Sequence, residues 1–198
     1  MERLNDSLFL LINAAPGASG IVVDSAIFFA YGLIWLVPTG LFIGWLRGSS
    51  ALRQILIAAT VSGLAGLLIN QLIGLVWYHP RPFEAGIGHT LVPHVRDSSF
   101  PSDHLTLIWA IAFSLLLREQ SRLAGWALAL MGVLVAWARI YLGVHFPLDM
   151  LGAVLVALGS AWLILSAEHQ LITPIMRLLL PAYRTIFAGL IRKGWVRK

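Results

Sequence analysis

The chain is 198 residues long, 59% hydrophobic and only 12% charged, with a mean hydropathy of +0.83. A soluble domain carries about 25% charged residues, and no soluble core of this size could bury so much apolar surface, so the composition points to an integral membrane protein. Cysteine is absent, which excludes disulfides and thiolate-held metals. The net charge of +5 is scattered between apolar stretches, a pattern that suits loop anchoring and not a nucleic-acid surface.

Residues Leu4 to Ile12 are apolar but short and interrupted by Asn5, Asp6 and Ser7. They predict an interfacial helix that turns at Pro16-Gly17, with a frayed terminus as the alternative. Glu2 and Asp6 accompany Arg3, so no cleavable signal peptide is expected. A first span is predicted over about Ile21 to Leu46 and a second over about Leu52 to Trp77. Both exceed the roughly 20 apolar residues that a spanning helix needs. A long polar connection follows, from about Tyr78 to Ser102, of the length that tends to be functional or disordered. The third span, about Pro101 to Leu117, is short and needs shelter from its neighbours. The fourth is about Leu123 to Tyr141 and the fifth about Pro147 to Ala167. From Gln170 onward the chain reads as an amphipathic surface tail. The expected fold is all-α, a polytopic bundle of about five transmembrane helices with interfacial helices at both ends, forming one domain over residues 1–198.

Five spans put the termini on opposite sides. Arg47, Arg53, Arg118, Arg122 and six basic residues of the tail fall on one side, while Arg3, Arg81, Arg96 and Arg139 fall on the other. That asymmetry predicts a cytoplasmic C-terminus and an outer N-terminus. The long connection and the turn between the last two spans then share the outer face.

Three clusters of chemistry-bearing residues lie on that face. Arg139, His145 and Asp149 stand where the fourth and fifth spans meet, and ionisable groups at a membrane edge are costly and usually functional. Pro147 suits a first helical turn, which sets His145 just outside the helix start and Asp149 just inside. There the carboxylate can reach back to the ring and support its charge. The alternative is an Arg139–Asp149 pair tying two helix ends, with His145 merely packed. Arg81, between Pro80 and Pro82, is a guanidinium on stiff backbone, suited to an anion or to lipid headgroups. In Ser98 to His104, Pro101 fits another first turn. The free N–H groups of that turn, with the Ser102 hydroxyl, would attract an anion. An ordinary cap by Ser99 or Ser102, with Asp103 complementing the dipole, is compatible with this. Two arginines and a helix start match a multiply charged anion. Two histidines match a division into nucleophile and general acid/base.

These residues resemble the type 2 phosphatidic acid phosphatase (PAP2) superfamily, whose signature is K-x6-R-P, P-S-G-H and S-R-x5-H-x3-D. The counterparts are Arg81-Pro82, Pro101-Ser102-Asp103-His104, and Ala138-Arg139 with His145 and Asp149, within a core of about residues 50–168. The chain departs from the pattern at Gly74, where the lysine is expected, at Asp103 for glycine and at Ala138 for serine. The P-S-D-H form, the missing lysine and the H-P-R-P-F context resemble the undecaprenyl-diphosphatase, BcrC-type branch. Asp103 beside a phosphate would be repulsive unless it faces away or pairs with Arg96 or His79.

The resemblance implies a nucleophilic His145 oriented by Asp149, with His104 as general acid and then base. Arg81, Ser102, Arg139 and the backbone near Asp103 would hold phosphoryl oxygens. It implies no metal or other cofactor, and a polyprenyl diphosphate lipid as partner within the bilayer. Among the remaining groups, His79 is placed behind Arg81, and His89 and His94 lack an evident third ligand for a metal. His169 is placed at the membrane interface, and Glu84 and Asp97 are read as solvated loop charges. Hydrolysis of undecaprenyl diphosphate is the function expected. A broader lipid phosphatase acting on phosphatidic acid or phosphatidylglycerol phosphate, a phosphotransferase, and a non-catalytic anionic-lipid binder or transporter stand as alternatives.

Overall fold

The computed structural model describes residues 2–198, and every regular element among them is helical. Four stretches are long and apolar enough to cross a membrane: Gly20–Arg47, Ser50–Val76 (α4), Glu119–Tyr141 and Pro147–Ser166 (α8). A shorter apolar helix, α6 (Asp103–Leu116), stands between them in sequence. At about 1.5 Å per residue, its 14 residues reach only about 21 Å, short of the roughly 30 Å of hydrocarbon.

Its position in the bundle explains how α6 can be short. It packs against α4, α8 and α7 (Arg122–Tyr141), and Leu105, Ile108, Ala110 and Ala112 are fully buried. Small residues let the neighbours close in, as membrane bundles require. A Cβ at Gly66 of α4 would stand 2.8 Å from the Thr106 methyl, and one at Gly132 of α7 would overlap the Trp109 indole. The outward faces of the surrounding helices expose Leu68, Leu72, Leu130 and Leu155, where lipid replaces water as the apolar solvent.

The first span is the least embedded. It runs as α2 (Gly20–Ile27), a π-helical turn over Phe28–Gly32, a 3-10 turn over Leu33–Trp35, and α3 (Leu36–Arg47). Pro38 lies in the first turn of α3. The helix has just reset its hydrogen bonding there, so the missing N–H costs little. The first half of this span packs against α7 and the second half against α4.

The N-terminal helix α1 (Glu2–Ile12) is docked, not frayed. Phe9 is buried, its ring 5.2 Å from Phe146, and Asn5 Oδ1 accepts the Leu148 N–H at 3.0 Å. The tail forms α9 (Glu168–Ile186) and α10 (Ala188–Arg192). Ile172 and Met176 of α9 pack with Ala58 and Ile164. Arg53, counted among the basic residues at the loops, is instead fully buried on α4. Its Nε donates to Trp45 O at 2.9 Å and its Nη2 to Arg197 O at 2.5 Å. The guanidinium carbon lies 4.1 Å from the centre of the Tyr183 ring, so one arginine ties the end of the chain to the bundle.

Between α4 and α6 the connection is ordered by long-range pairing. It holds one short helix, α5 (Pro82–Ala85). The Ser99 N–H donates to His79 O at 2.8 Å, and the Leu91 N–H to Leu142 O at 3.1 Å. The His89 N–H donates to Asn13 Oδ1 at 2.7 Å. Gly143 makes the last approach possible. Its φ is +80°, and a Cβ there would overlap the His89 carbonyl oxygen, so only glycine fits. Helix α1, this connection and the α7–α8 turn thus meet at one end of the bundle.

Candidate active site

Helix α8 begins as its sequence predicts, with Pro147 at the first helical position. Asp149 turns back over that start. Its Oδ2 accepts the Phe146 N–H at 2.8 Å and faces His145 Nδ1 at 3.1 Å. The same oxygen accepts the Ser99 hydroxyl. Asp149 and His145 are both buried. A buried carboxylate that already accepts two donors calls for a third at Nδ1, which assigns the proton of the ring to Nδ1 and leaves Nε2 bare. Arg139 does not pair with Asp149, so the arrangement in which these two merely tie helix ends is not found.

The bare nitrogen is met by two arginines from different parts of the chain. Arg81 Nη1 lies 3.1 Å from His145 Nε2 and Arg139 Nη2 lies 3.5 Å from it. A guanidinium only donates, which agrees with the tautomer set by Asp149. Burial pushes the His145 pKa down to about 4, with Arg139 and Arg81 adding to the shift and Asp149 opposing it. The ring is therefore neutral near pH 7, with a lone pair at Nε2.

Each guanidinium is held in part by groups of the protein. Arg81 donates from Nε to Asp97 Oδ1 at 2.6 Å and from Nη1 to Val144 O at 2.8 Å. Its backbone N–H donates to Glu84 Oε2 at 3.1 Å. Arg139 is 1% exposed, and its Nε and Nη1 have no hydrogen-bond partner. The hydroxyl of Ser102, also fully buried, has none either. Unpaired buried donors are expensive and rare. Two of them on the guanidinium that meets the bare imidazole nitrogen, and a third on the N-cap residue of α6, describe a receptor for an oxyanion.

The start of α6 differs in detail from the expectation. The helix begins at Asp103 with Ser102 as its N-cap residue, so Pro101 lies before the helix and not in its first turn. Ser102 makes no side-chain capping bond. Ser99 does not cap either, being engaged by Asp149. The Asp103 carboxylate is claimed by α4, accepting from Asn70 Nδ2 at 2.8 Å and Gln71 Nε2 at 3.2 Å. It pairs with neither Arg96 nor His79. His104, in the first turn of α6, is partly buried and lies within the fields of Arg139, His145, His94 and Arg81. Both catalytic-type histidines thus stand at the same end of the bundle.

Other groups fall where their spacing did not place them. His79 does not back Arg81. Its ring packs edge-on against Phe146 at 6.1 Å, and its Nδ1 is buried without a partner. Asp97 and Glu84 are not free loop charges, since each holds part of Arg81. His94 enters the site outright, its Nε2 3.1 Å from Arg139 Nη2. Burial lowers its pKa, against the pull of its hydrogen bond with the Val95 carbonyl. No periodicity marks His94, Asp97 or Ser99; only their place in a long ordered loop could have drawn notice. Gly74, at the position of the missing lysine, lines a cavity of about 220 Å³ together with Asn70, Tyr78, Asp97, Ser98 and Asp103.

Comparisons with known proteins concern the whole chain and its fold. YbjG of Escherichia coli (strain K12) is 41% identical over 201 residues, covering 100% of this chain and 99% of its own. The protein named undecaprenyl-diphosphatase BcrC of Bacillus subtilis (strain 168) is 40% identical, with 83% of this chain and 80% of its own covered. The undecaprenyl-diphosphatase of Sulfolobus acidocaldarius is 31% identical over 88% of this chain and 82% of its own. In fold, the crystal structure of Aquifex aeolicus LpxE superposes with a TM-score of 0.67 at 24% identity, over 82% of this chain and 95% of that one. The first transmembrane PAP2-type phosphatidylglycerolphosphate phosphatase of Bacillus subtilis gives 0.54 at 21%, over 85% and 84%. The family model described as PAP2 superfamily matches residues 50–172, a stretch that holds every one of the clustered side chains, and the chain belongs to the PAP2 superfamily.

Proposed function

We propose that this membrane phosphatase hydrolyses undecaprenyl diphosphate to undecaprenyl phosphate and inorganic phosphate. The reaction would run at the outer surface of a bacterial cytoplasmic membrane, with the N-terminus outside and the C-terminus inside. The substrate is taken from the names of the relatives at 40% and 31% identity. The orientation rests on the distribution of basic residues.

The single observation that carries the reading is the bare Nε2 of His145 between two guanidinium groups, with Arg139 Nε and Nη1 buried and unpartnered. In the proposed mechanism, Nε2 attacks the terminal phosphorus. A P–N bond forms as the bond to the bridging oxygen breaks, and His104, protonated once the negative charge of the bound diphosphate offsets the cations around it, gives its proton to that oxygen. Asp149 stabilises the positive charge that appears on the His145 ring, while Arg81, Arg139, Ser102 and the backbone N–H groups at Asp103 take the phosphoryl oxygens. Their work is greatest in the transition state, where charge spreads over those oxygens. His104, now neutral, removes a proton from water, which attacks the phosphohistidine and releases phosphate.

The test is phosphate release from purified protein with undecaprenyl diphosphate in the presence of chelator. Alongside it, an acid-labile phosphoenzyme is trapped. His145→Ala should abolish both. Full activity in that variant, or a strict metal requirement, defeats the mechanism. Binding without turnover would leave an anionic-lipid binder. Faster turnover of phosphatidic acid or phosphatidylglycerol phosphate would reassign the substrate.

A further inference from the structure

We propose that the loop segment from His94 to Asp97 positions both guanidinium groups, Asp97 by holding Arg81 and His94 by holding Arg139, and so sets the grip on the phosphoryl group. The inference rests on the reading of this site as a phosphatase centre.

An arginine side chain has many rotamers, and a useful phosphate clamp must hold one of them before substrate arrives. Arg81 is held by two groups on opposite sides. Asp97 Oδ1 takes Nε at 2.6 Å, and the Val144 carbonyl takes Nη1 at 2.8 Å. Val144 belongs to the turn that carries His145, so only Asp97 is an independent hold.

Arg139 is more open to misplacement, because among the described residues His94 is the one acceptor outside the reacting histidine that meets its guanidinium. Nη2 donates to His94 Nε2 at 3.1 Å, and this fixes the plane in which the unpartnered Nε and Nη1 lie. The His94 ring is itself oriented. Its Nδ1 is 3.1 Å from the Val95 carbonyl and 3.9 Å from Asp97 Oδ1. A proton on Nδ1 donating to that carbonyl leaves Nε2 to accept from Arg139, so the hydrogen bonds form one consistent chain. Asp97 stands at its outer end and touches both arms.

Gly74 fits this arrangement. It borders the same cavity as Asp97, with its Cα face open apart from Ser98, whose Cβ would lie 3.4 Å from an added Cβ. A lysine there would carry an ammonium toward the Asp97 carboxylate and compete with Arg81 for it. With glycine, the carboxylate is left to the arginine.

The experiment compares Asp97→Asn with Asp97→Glu, and His94→Phe with His94→Gln. It reads kcat and KM on undecaprenyl diphosphate, inhibition by orthovanadate, and the melting temperature. Loss of one hydrogen bond to a charged group predicts a fall in kcat/KM of roughly tenfold for Asp97→Asn and for His94→Phe, with a parallel weakening of vanadate. The melting temperature should stay level. Asp97→Glu and His94→Gln, which keep an acceptor, should recover most of the loss. In an Arg81→Lys background, Asp97→Asn should cost at most about threefold more, because both changes disable one contact.

Losses that follow the melting temperature while vanadate inhibition stays unchanged would overturn the proposal. Full additivity of Asp97→Asn with Arg81→Lys would do the same. Should the wild type leave this lipid untouched, the substrate reading fails alone, and the stabilisation of each variant by orthovanadate in a thermal-shift assay still decides the clamp.

Discussion

Arg81 and His145 are 64 residues apart in sequence, yet Nη1 of one lies 3.1 Å from Nε2 of the other. A cation beside a nucleophile lowers its proton affinity, and its N–H, aimed here at the lone pair, has to turn to a phosphoryl oxygen before that lone pair can attack. It is also placed to receive the charge of whatever group that lone pair attacks. Two structural choices bring this about: the return of the long connection over the helix ends, and the tight α7–α8 turn at Gly143.

The orienting carboxylate should be needed for its charge and not for its size. Asp149→Asn keeps the shape and one acceptor oxygen but removes the negative charge that supports a positive His145 ring. By analogy with other carboxylate–histidine systems, we expect kcat to fall by roughly 10³-fold with the fold intact. Steady-state rates on the lipid diphosphate beside circular dichroism would check this. A fall of less than tenfold would show that Asp149 is mainly a helix cap.

Stability should depend on pH through His145. Its folded pKa is lowered to about 4 from the ordinary 6.5, so between these values the unfolded chain binds more protons than the folded one. Stability is then full above about pH 6.5 and is lost progressively as pH falls toward 4. The melting temperature in detergent, taken across that window, should drop more steeply for wild type than for His145→Gln. Equal slopes would mean that the ring is not held neutral.

Gly143 should tolerate no side chain. With φ at +80° and the His89 carbonyl against the missing Cβ, Gly143→Ala has to move the connection away from the turn. We expect about 1–3 kcal/mol of lost stability and a larger proportional loss of kcat/KM, since the same turn carries His145. Thermal melts and turnover of one preparation would test both parts.

The buried arginine far from the site predicts the opposite separation. Arg53→Ala leaves the Arg197 carbonyl and the Tyr183 ring without their cation, so the tail should loosen and stability fall by about 2–4 kcal/mol. The phosphoryl site has no part in that contact. Limited proteolysis should release the last residues faster in the variant, while KM stays within about twofold. A tail as protected as wild type would refute the tie.

How the chain is read depends on the range of the interactions involved. An apolar run long enough to span a bilayer is a local property, which is why all four long spans and the short α6 lie within a few residues of their expected limits. The start of α8 is equally local. Proline fixes one dihedral angle, the next turn follows, and Asp149 reaches His145 four residues away. The sequence alone therefore determined the bundle, the end at which the candidate site gathers and the histidine–aspartate pair. Tertiary structure alone decided the partners of the polar groups. Asp103 was drawn to Asn70 and Gln71, Ser99 to Asp149, His94 to Arg139 and Arg53 into the core. A polar side chain in an irregular loop has no period to betray its direction, and it goes to whichever buried donor or acceptor the packed helices leave unsatisfied.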